Sequence, residues 1–340
     1  MMNSPSPAEE LQRFIAQRRR RYAELGIVLC ALLLLTALWR IAQGEWNIPL
    51  SRVFELLSPF LPPQTSELPE ALIIRSVRLP RFFAAAGAGG LLAVSGAILQ
   101  GLLSNPLAEP YTLGIASGAA FGGAIGFFFS GLAVTPMAFA GALGALIVVN
   151  MIARHSGGSG ANLVLAGVIA NAVLSAGVTL LKAIADDKLG AIVLWLMGSF
   201  SGASLQGALS VWVGALVVLV PAWFYGPHLD AVSLGEGQGE MLGIDEKQLR
   251  LRLLCASSLG VALTVSHFGI IGFVGLVVPH VLRRLTGPSH RPLLVFCFLA
   301  GALTLALADG AAQRLGELPA GVVTALAGGP FFCWILVKRK

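Results

Sequence analysis

Charge is scarce in this chain. Asp, Glu, Lys and Arg make up 12% of its 340 residues, where a water-soluble protein carries about 25%. Hydrophobic residues make up 56%. Too few polar side chains remain to cover a globule in water, so the solvent is the bilayer. Cysteine is scarce as well. Cys30, Cys255, Cys297 and Cys333 each sit inside an apolar run. With no Cys-x-x-Cys and no histidine at ligand spacing, neither a disulfide framework nor a metal site is expected. They read as small buried or lipid-facing side chains. Catalytic signatures are missing too: no phosphate-binding Gly-x-x-x-x-Gly-Lys-Ser/Thr, no His-Glu-x-x-His and no Gly-x-Ser-x-Gly occurs. The chain is therefore not expected to be an enzyme. His155, His280 and His290 fall at or near predicted inner helix ends, where solvation accounts for them.

What the chain does contain is a series of apolar runs long enough to span. They cover 25–43, 82–104, 112–130, 134–153, 162–183, 205–225, 249–268, 271–286, 291–309 and 319–337. A further apolar stretch, 189–200, is too short to cross and reads as a re-entrant or surface helix. The fold class expected is an all-α integral membrane bundle of about ten transmembrane helices, one domain over residues 1–340. Residues 1–24, with Arg18, Arg19, Arg20 and Arg21, read as a cytoplasmic amphipathic helix rather than a cleaved signal. Ten spans put both termini on one side. The inner segments then hold Arg13, Arg18–Arg21, Arg154, Lys247, Arg250, Arg252, Arg283, Arg284, Arg291, Lys338, Arg339 and Lys340, which is 15 of the 23 basic residues. That bias places the termini in the cytoplasm. The net charge of +6 comes from these clusters and argues for a membrane surface, not nucleic acid.

The outer segment 44–81 has a Pro-rich middle, Leu61-Pro62-Pro63, that breaks any continuous helix. Gly114, Gly118, Gly122 and Gly126 recur every four residues, which predicts one tightly packed helix face. Charged residues within the runs fall at their ends, as at Lys182, Arg283 and Asp309. The mid-run polar residues are mostly Ser and Thr, with Gln100 and Asn171. An ion-coupled carrier needs ionisable ligands near the bilayer midplane. Their absence points instead to energy supplied by a partner that hydrolyses ATP, and an ion-coupled secondary transporter is the alternative.

A set of short motifs follows these runs in order. They are Arg78-Leu79-Pro80-Arg81, Ser95-Gly96-Ala97-Ile98-Leu99-Gln100, Asn105-Pro106-Leu107-Ala108-Glu109-Pro110, Leu165-Ala166-Gly167, Leu242-Gly243-Ile244, Gly272-Phe273-Val274-Gly275 through Pro279-His280, and Glu317-Leu318-Pro319-Ala320-Gly321. Each is weak alone. Together, over residues 45–337, they resemble the permease subunits of type II ABC importers, the FecCD or BtuC-like family that takes up iron–siderophores, haem and cobalamin.

The resemblance implies a BtuC-like bundle in the bacterial inner membrane, working with a second copy or a similar subunit. Two soluble ABC ATPase subunits would bind inside, and a periplasmic or lipid-anchored substrate-binding protein outside. The chain would bind no cofactor itself, since ATP-Mg belongs to the partner. It further implies binding-protein docking at Arg78, Arg81 and Arg314, the last in a loop that is short for the family. ATPase coupling would fall within 226–248, at Leu234, Gly235, Glu236, Met241, Leu242 and Gly243. The inner loop before the fifth span, with Ser159, Gly160 and Ala161, would form the gate, and Gln100 and Asn171 would lie on the pathway.

Overall fold

The computed structural model describes residues 7–44, 46–57, 68–129, 131–157, 159–235 and 237–338. Glu236 and the Leu61–Pro63 stretch lie outside the described residues. The described residues form helices, turns and coil without a strand. In chain order the helices are α1 (Pro7–Ala42), α2 (Leu50–Leu57), α3 (Pro69–Leu102), α4 (Ile115–Phe128), α5 (Val134–His155), α6 (Gly160–Ala183), α7 (Leu189–Leu196), α8 (Leu205–Phe224), α9 (Gly226–Val232), α10 (Gln238–Met241), α11 (Glu246–Phe268), α12 (Val274–Thr286), α13 (His290–Arg314) and α14 (Ala320–Val337).

Each of the ten predicted spans corresponds to one helix, and the short apolar stretch 189–200 to α7. Seven helices are long and apolar enough to cross a membrane. Shorter apolar helices are α4 and α14, and α12 is a further helix of 13 residues. The polar N-terminal helix leads into the first span without a break, because α1 runs for 36 residues. No glycine or proline interrupts it between Ala8 and Leu25, and Gly26 stays helical.

At the centre stands α3, whose residues from Pro80 to Leu102 are buried with the single exception of Phe83. Between apolar helices in lipid there is little hydrophobic driving force, so association relies on close packing of small residues. The sequence of α3 supplies them. A Cβ on Gly89 would lie 2.2 Å from the carbonyl oxygen of Gly301 on α13, and one on Gly96 only 1.8 Å from that of Gly275 on α12. The every-fourth glycines serve the same purpose between α4 and α5: Cβ atoms at Gly118 and Gly122 would lie 2.4 and 2.1 Å from the carbonyls of Gly141 and Met137. The Gly ladder is thus a packing face, as expected.

A π-helical turn, Ile73–Arg78, interrupts the α-helical ladder of α3 near its start. The extra residue per turn re-aims the side chains that follow. Among them is Arg78, whose guanidinium reaches back to the end of α1.

Candidate functional site

The bundle has two chemically distinct ends. At the end where α1 finishes, four charged side chains converge. Arg81 on α3 donates from Nε to Asp309 Oδ2 at 2.9 Å and from an Nη to Asp309 Oδ1 at 3.0 Å. It also reaches Glu317 Oε1 at 3.0 Å. Arg40 on α1 pairs with the same Asp309 and with Gln313. Asp309, which lies near the end of its helix as the sequence suggested, is buried. The cost of burying it is offset because both carboxylate oxygens accept from guanidinium groups. Glu317 takes a left-handed backbone conformation (φ 59°) and its carboxylate pairs with Arg81.

Two of the three expected docking arginines are turned inward. Arg78 is 8% exposed and donates to the backbone carbonyls of Ile41 and Trp46; Arg81 is 5% exposed and held by the network above. Both side chains are bonded within their own chain. Arg314 differs: it is exposed, stacks over the Trp39 ring 4.8 Å away and bonds Gln43. It borders a cleft of about 540 Å³ lined also by Trp39, Asn47 and Glu317.

At the opposite end lies the segment expected to couple. Its glycines place three residues in the left-handed region, Gly235 (φ 141°), Gly237 (φ 82°) and Gly243 (φ 77°), which brackets α10 with tight turns. It is not loose filler. Glu246 is buried and its Oε1 accepts from the Gly239 N–H at 2.7 Å. Asp245 Oδ1 caps α11 by accepting from Gln248 N at 2.9 Å. Pinned from behind, the segment presents Leu234, Met241 and Leu242 outward, 76%, 82% and 67% exposed.

A second brace lies behind α9. Asp230 Oδ1 accepts from the His290 backbone N–H at 2.7 Å and meets the ring Nδ1 at 2.6 Å, while Ser289 Oγ donates to Oδ2 at 3.3 Å. Asp230 therefore caps the start of α13 from a different helix. Partial burial works against its charge, but the hydrogen bonds from the His290 ring and backbone and from Ser289 outweigh that and hold the carboxyl below its ordinary value. Because the carboxyl titrates lower in the folded chain, this brace stabilises above the ordinary carboxylate pKa. It is lost as pH falls through the depressed value. His290 is fully buried and His280 nearly so, with its ring against Phe332 at 5.9 Å. These two are packed inside rather than solvated at helix ends; His155 alone of the three is exposed.

The residues expected along the pathway separate. Gln100 is buried and donates to the carbonyls of Gly275 and Leu276 at 3.4 and 3.3 Å, so it fastens α3 to the first turn of α12. Asn171 is half-buried; it donates to Tyr111 O at 3.1 Å and accepts from Ser117 Oγ at 2.6 Å. Ser159 caps α6 by accepting from Asn162 N at 3.2 Å. Gly160 is buried beside Leu103, and Ala161 is exposed. Among the described residues no cluster of His, Cys, Asp and Glu is arranged to hold a metal.

Comparison with known proteins decides the family. The model of the FecCD transport family matches residues 32–338. This chain belongs to the FecCD transport family. It is 39% identical to the vitamin B12 import system permease protein BtuC of Vibrio parahaemolyticus, over 97% of this chain and 98% of that one. It is 38% identical to the hemin transport system permease protein HmuU of Yersinia pestis, over 78% and 83%. A solved structure of a metal-chelate type ABC transporter in an inward-facing conformation superposes with a TM-score of 0.81 at 32% identity, covering 94% of this chain and all of that one. The chain is thus a multi-span membrane permease of the ABC importer class.

Within this family frame, the sequence reading missed three participants. Arg40 does not stand out within the run 25–43, and nothing in the local sequence of Arg40 or Asp309 pairs them with Arg81. Asp230 was passed over because its partner is 60 residues away. The one available signal was the isolation of each charge in an apolar setting, which demands a partner somewhere.

Proposed function

We propose that this chain is the membrane-embedded half of an ATP-driven importer for a bulky metal chelate of the iron–siderophore, haem or cobalamin kind. Two copies, or one copy and a similar subunit, form the pathway where they meet. Both termini and the 226–248 segment face the cytoplasm of the bacterial inner membrane. Two soluble ATPase subunits bind there and hydrolyse ATP-Mg, and this chain has no catalytic site of its own. Ser159, Gly160 and Ala161 close the inner end. The small side chains at 160 and 161 narrow that plug. A substrate-binding protein docks at the opposite rim on Arg314, while Arg78 and Arg81 act from beneath by fixing the shape of the rim.

One observation carries the coupling assignment. Leu234, Met241 and Leu242 stand exposed on a braced, glycine-bracketed segment beyond the spans. Large apolar side chains held rigidly in water mark an interface. The triple substitution L234S/M241S/L242S leaves the fold intact, because all three side chains are solvent-facing. Co-purification of the ATPase subunits from membranes is expected to fall at least tenfold. A complex recovered at the level of the unsubstituted chain would refute the coupling role.

A further inference from the structure

At the α1 N-terminal end, a cavity of about 720 Å³ opens between α1, α9 and the turn after α12. Arg18, Arg21 and Arg284 line it. None of the three has a carboxylate within ion-pairing distance among the described residues. The single acid in the wall is Asp230, whose oxygens already serve Ser289 and His290. Three cations facing one committed carboxylate leave the cavity strongly positive. Arg18 is set in place rather than free: its Nε donates to Tyr22 Oη at 2.8 Å, and Tyr22 Oη donates to the Thr286 carbonyl at 2.7 Å.

Directly adjoining is a second cavity, also of about 720 Å³, lined almost wholly by hydrocarbon from α1, α12, α13 and α14. Leu285 belongs to the walls of both. The two hydroxyls in this groove are turned away from it, Thr304 Oγ1 bonding Ala300 O at 2.7 Å and Thr324 Oγ1 bonding Gly321 O at 3.0 Å. From Leu285 the groove follows α12 back to Val274. That is eleven residues of helix, roughly 17 Å, against about 15 Å for the hydrocarbon depth of one leaflet.

We infer that the paired cavities form one binding site for an anionic phospholipid, its phosphate among Arg18, Arg21 and Arg284 and an acyl chain in the groove beneath. The charge selects an acidic headgroup, and the continuity through Leu285 selects a ligand whose anion is attached to hydrocarbon. Tyr22 lies where an interfacial aromatic belongs. Basic pockets between transmembrane helices hold acidic lipid headgroups by this combination. Ser233 and Leu234 also wall the headgroup cavity, so the lipid would rest against the segment proposed to couple. The inference requires only that the chain spans a membrane, and it stands or falls apart from the ATPase partnership.

The test titrates the purified full-length chain in detergent with dioleoyl phosphatidylglycerol and, separately, dioleoyl phosphatidylcholine, counting bound lipid by native mass spectrometry. Identical tails isolate the headgroup. The expected result is about tenfold tighter binding of the anionic lipid. R21Q/R284Q, at two exposed arginines, brings the two lipids to within twofold at an unchanged unfolding temperature. A327F, which fills the groove, weakens both lipids alike. Equal affinity for both lipids, or a preference that survives R21Q/R284Q, would overturn the site. Displacement of phosphatidylglycerol by millimolar inorganic phosphate, with phosphatidylcholine unaffected, would show an anion site without lipid. Crosslinking of A327C to another polypeptide in native membranes would show that protein covers the groove. Either result would also overturn it.

Discussion

Asp309→Asn is expected to lower the unfolding free energy by about 3–5 kcal/mol, the range for removing one partner of a buried ion pair. The reason lies in its neighbours. Arg40 and Arg81 both direct guanidinium groups at this one carboxylate, and both are buried. Neutralising Asp309 leaves two like charges in a shielded site with only Glu317 to share. Glu317 bonds Arg81, not Arg40, so Arg40 loses its ionic partner. The companion variant R40M/D309N removes that stranded charge and should regain much of the loss. Denaturant unfolding in detergent, followed by tryptophan fluorescence, measures both. If D309N unfolds like the unsubstituted chain, the network contributes nothing and the reading of Arg81 as an internal strut fails.

Gly96→Ala is expected to cost about 3 kcal/mol or more, at the upper end for overpacking. A methyl group at this position would sit 1.8 Å from the Gly275 carbonyl oxygen and 2.6 Å from its carbon. No rotamer change relieves a clash with backbone, so α3 and α12 must separate. Separation also draws Gln100 away from the two carbonyls it serves on α12. Gly144→Ala on α5 is the matched control, since nothing lies within 4 Å of its added Cβ; there the gain in helix propensity makes the change neutral or slightly stabilising. Unfolding temperatures of the two variants in one detergent decide the matter. Equal shifts would show that α3 and α12 do not pack backbone to backbone at Gly96.

The spans were legible because each is a local property: an apolar run of sufficient length announces itself without reference to any other part of the chain. The glycine ladder at 114–126 was legible for the same reason. What the sequence did not disclose was pairing at a distance. Arg81 lies 228 residues from Asp309 in sequence, and an arginine at a helix end looks the same whether it faces a partner protein or an internal carboxylate. Gln100 is a second case. A polar side chain in mid-span suggests a pathway lining, and the structure adds that its amide nitrogen bonds α12 backbone, where Gly275 lacks a side chain and lets α3 come close. The coupling segment was located by resemblance alone. Its stiffness follows from Glu246 bonding Gly239, which no spacing rule supplies.

Arg18 and Arg40 stand 22 residues apart on α1, roughly 33 Å along an unbroken helix, close to the thickness of the hydrocarbon core. One rod therefore has its foot in the basic cavity and its head in the ion network of the far rim. A stiff rod can tilt or slide but cannot change shape at one end alone. The basic cavity and the ion network of the far rim are thus built on one and the same continuous helix.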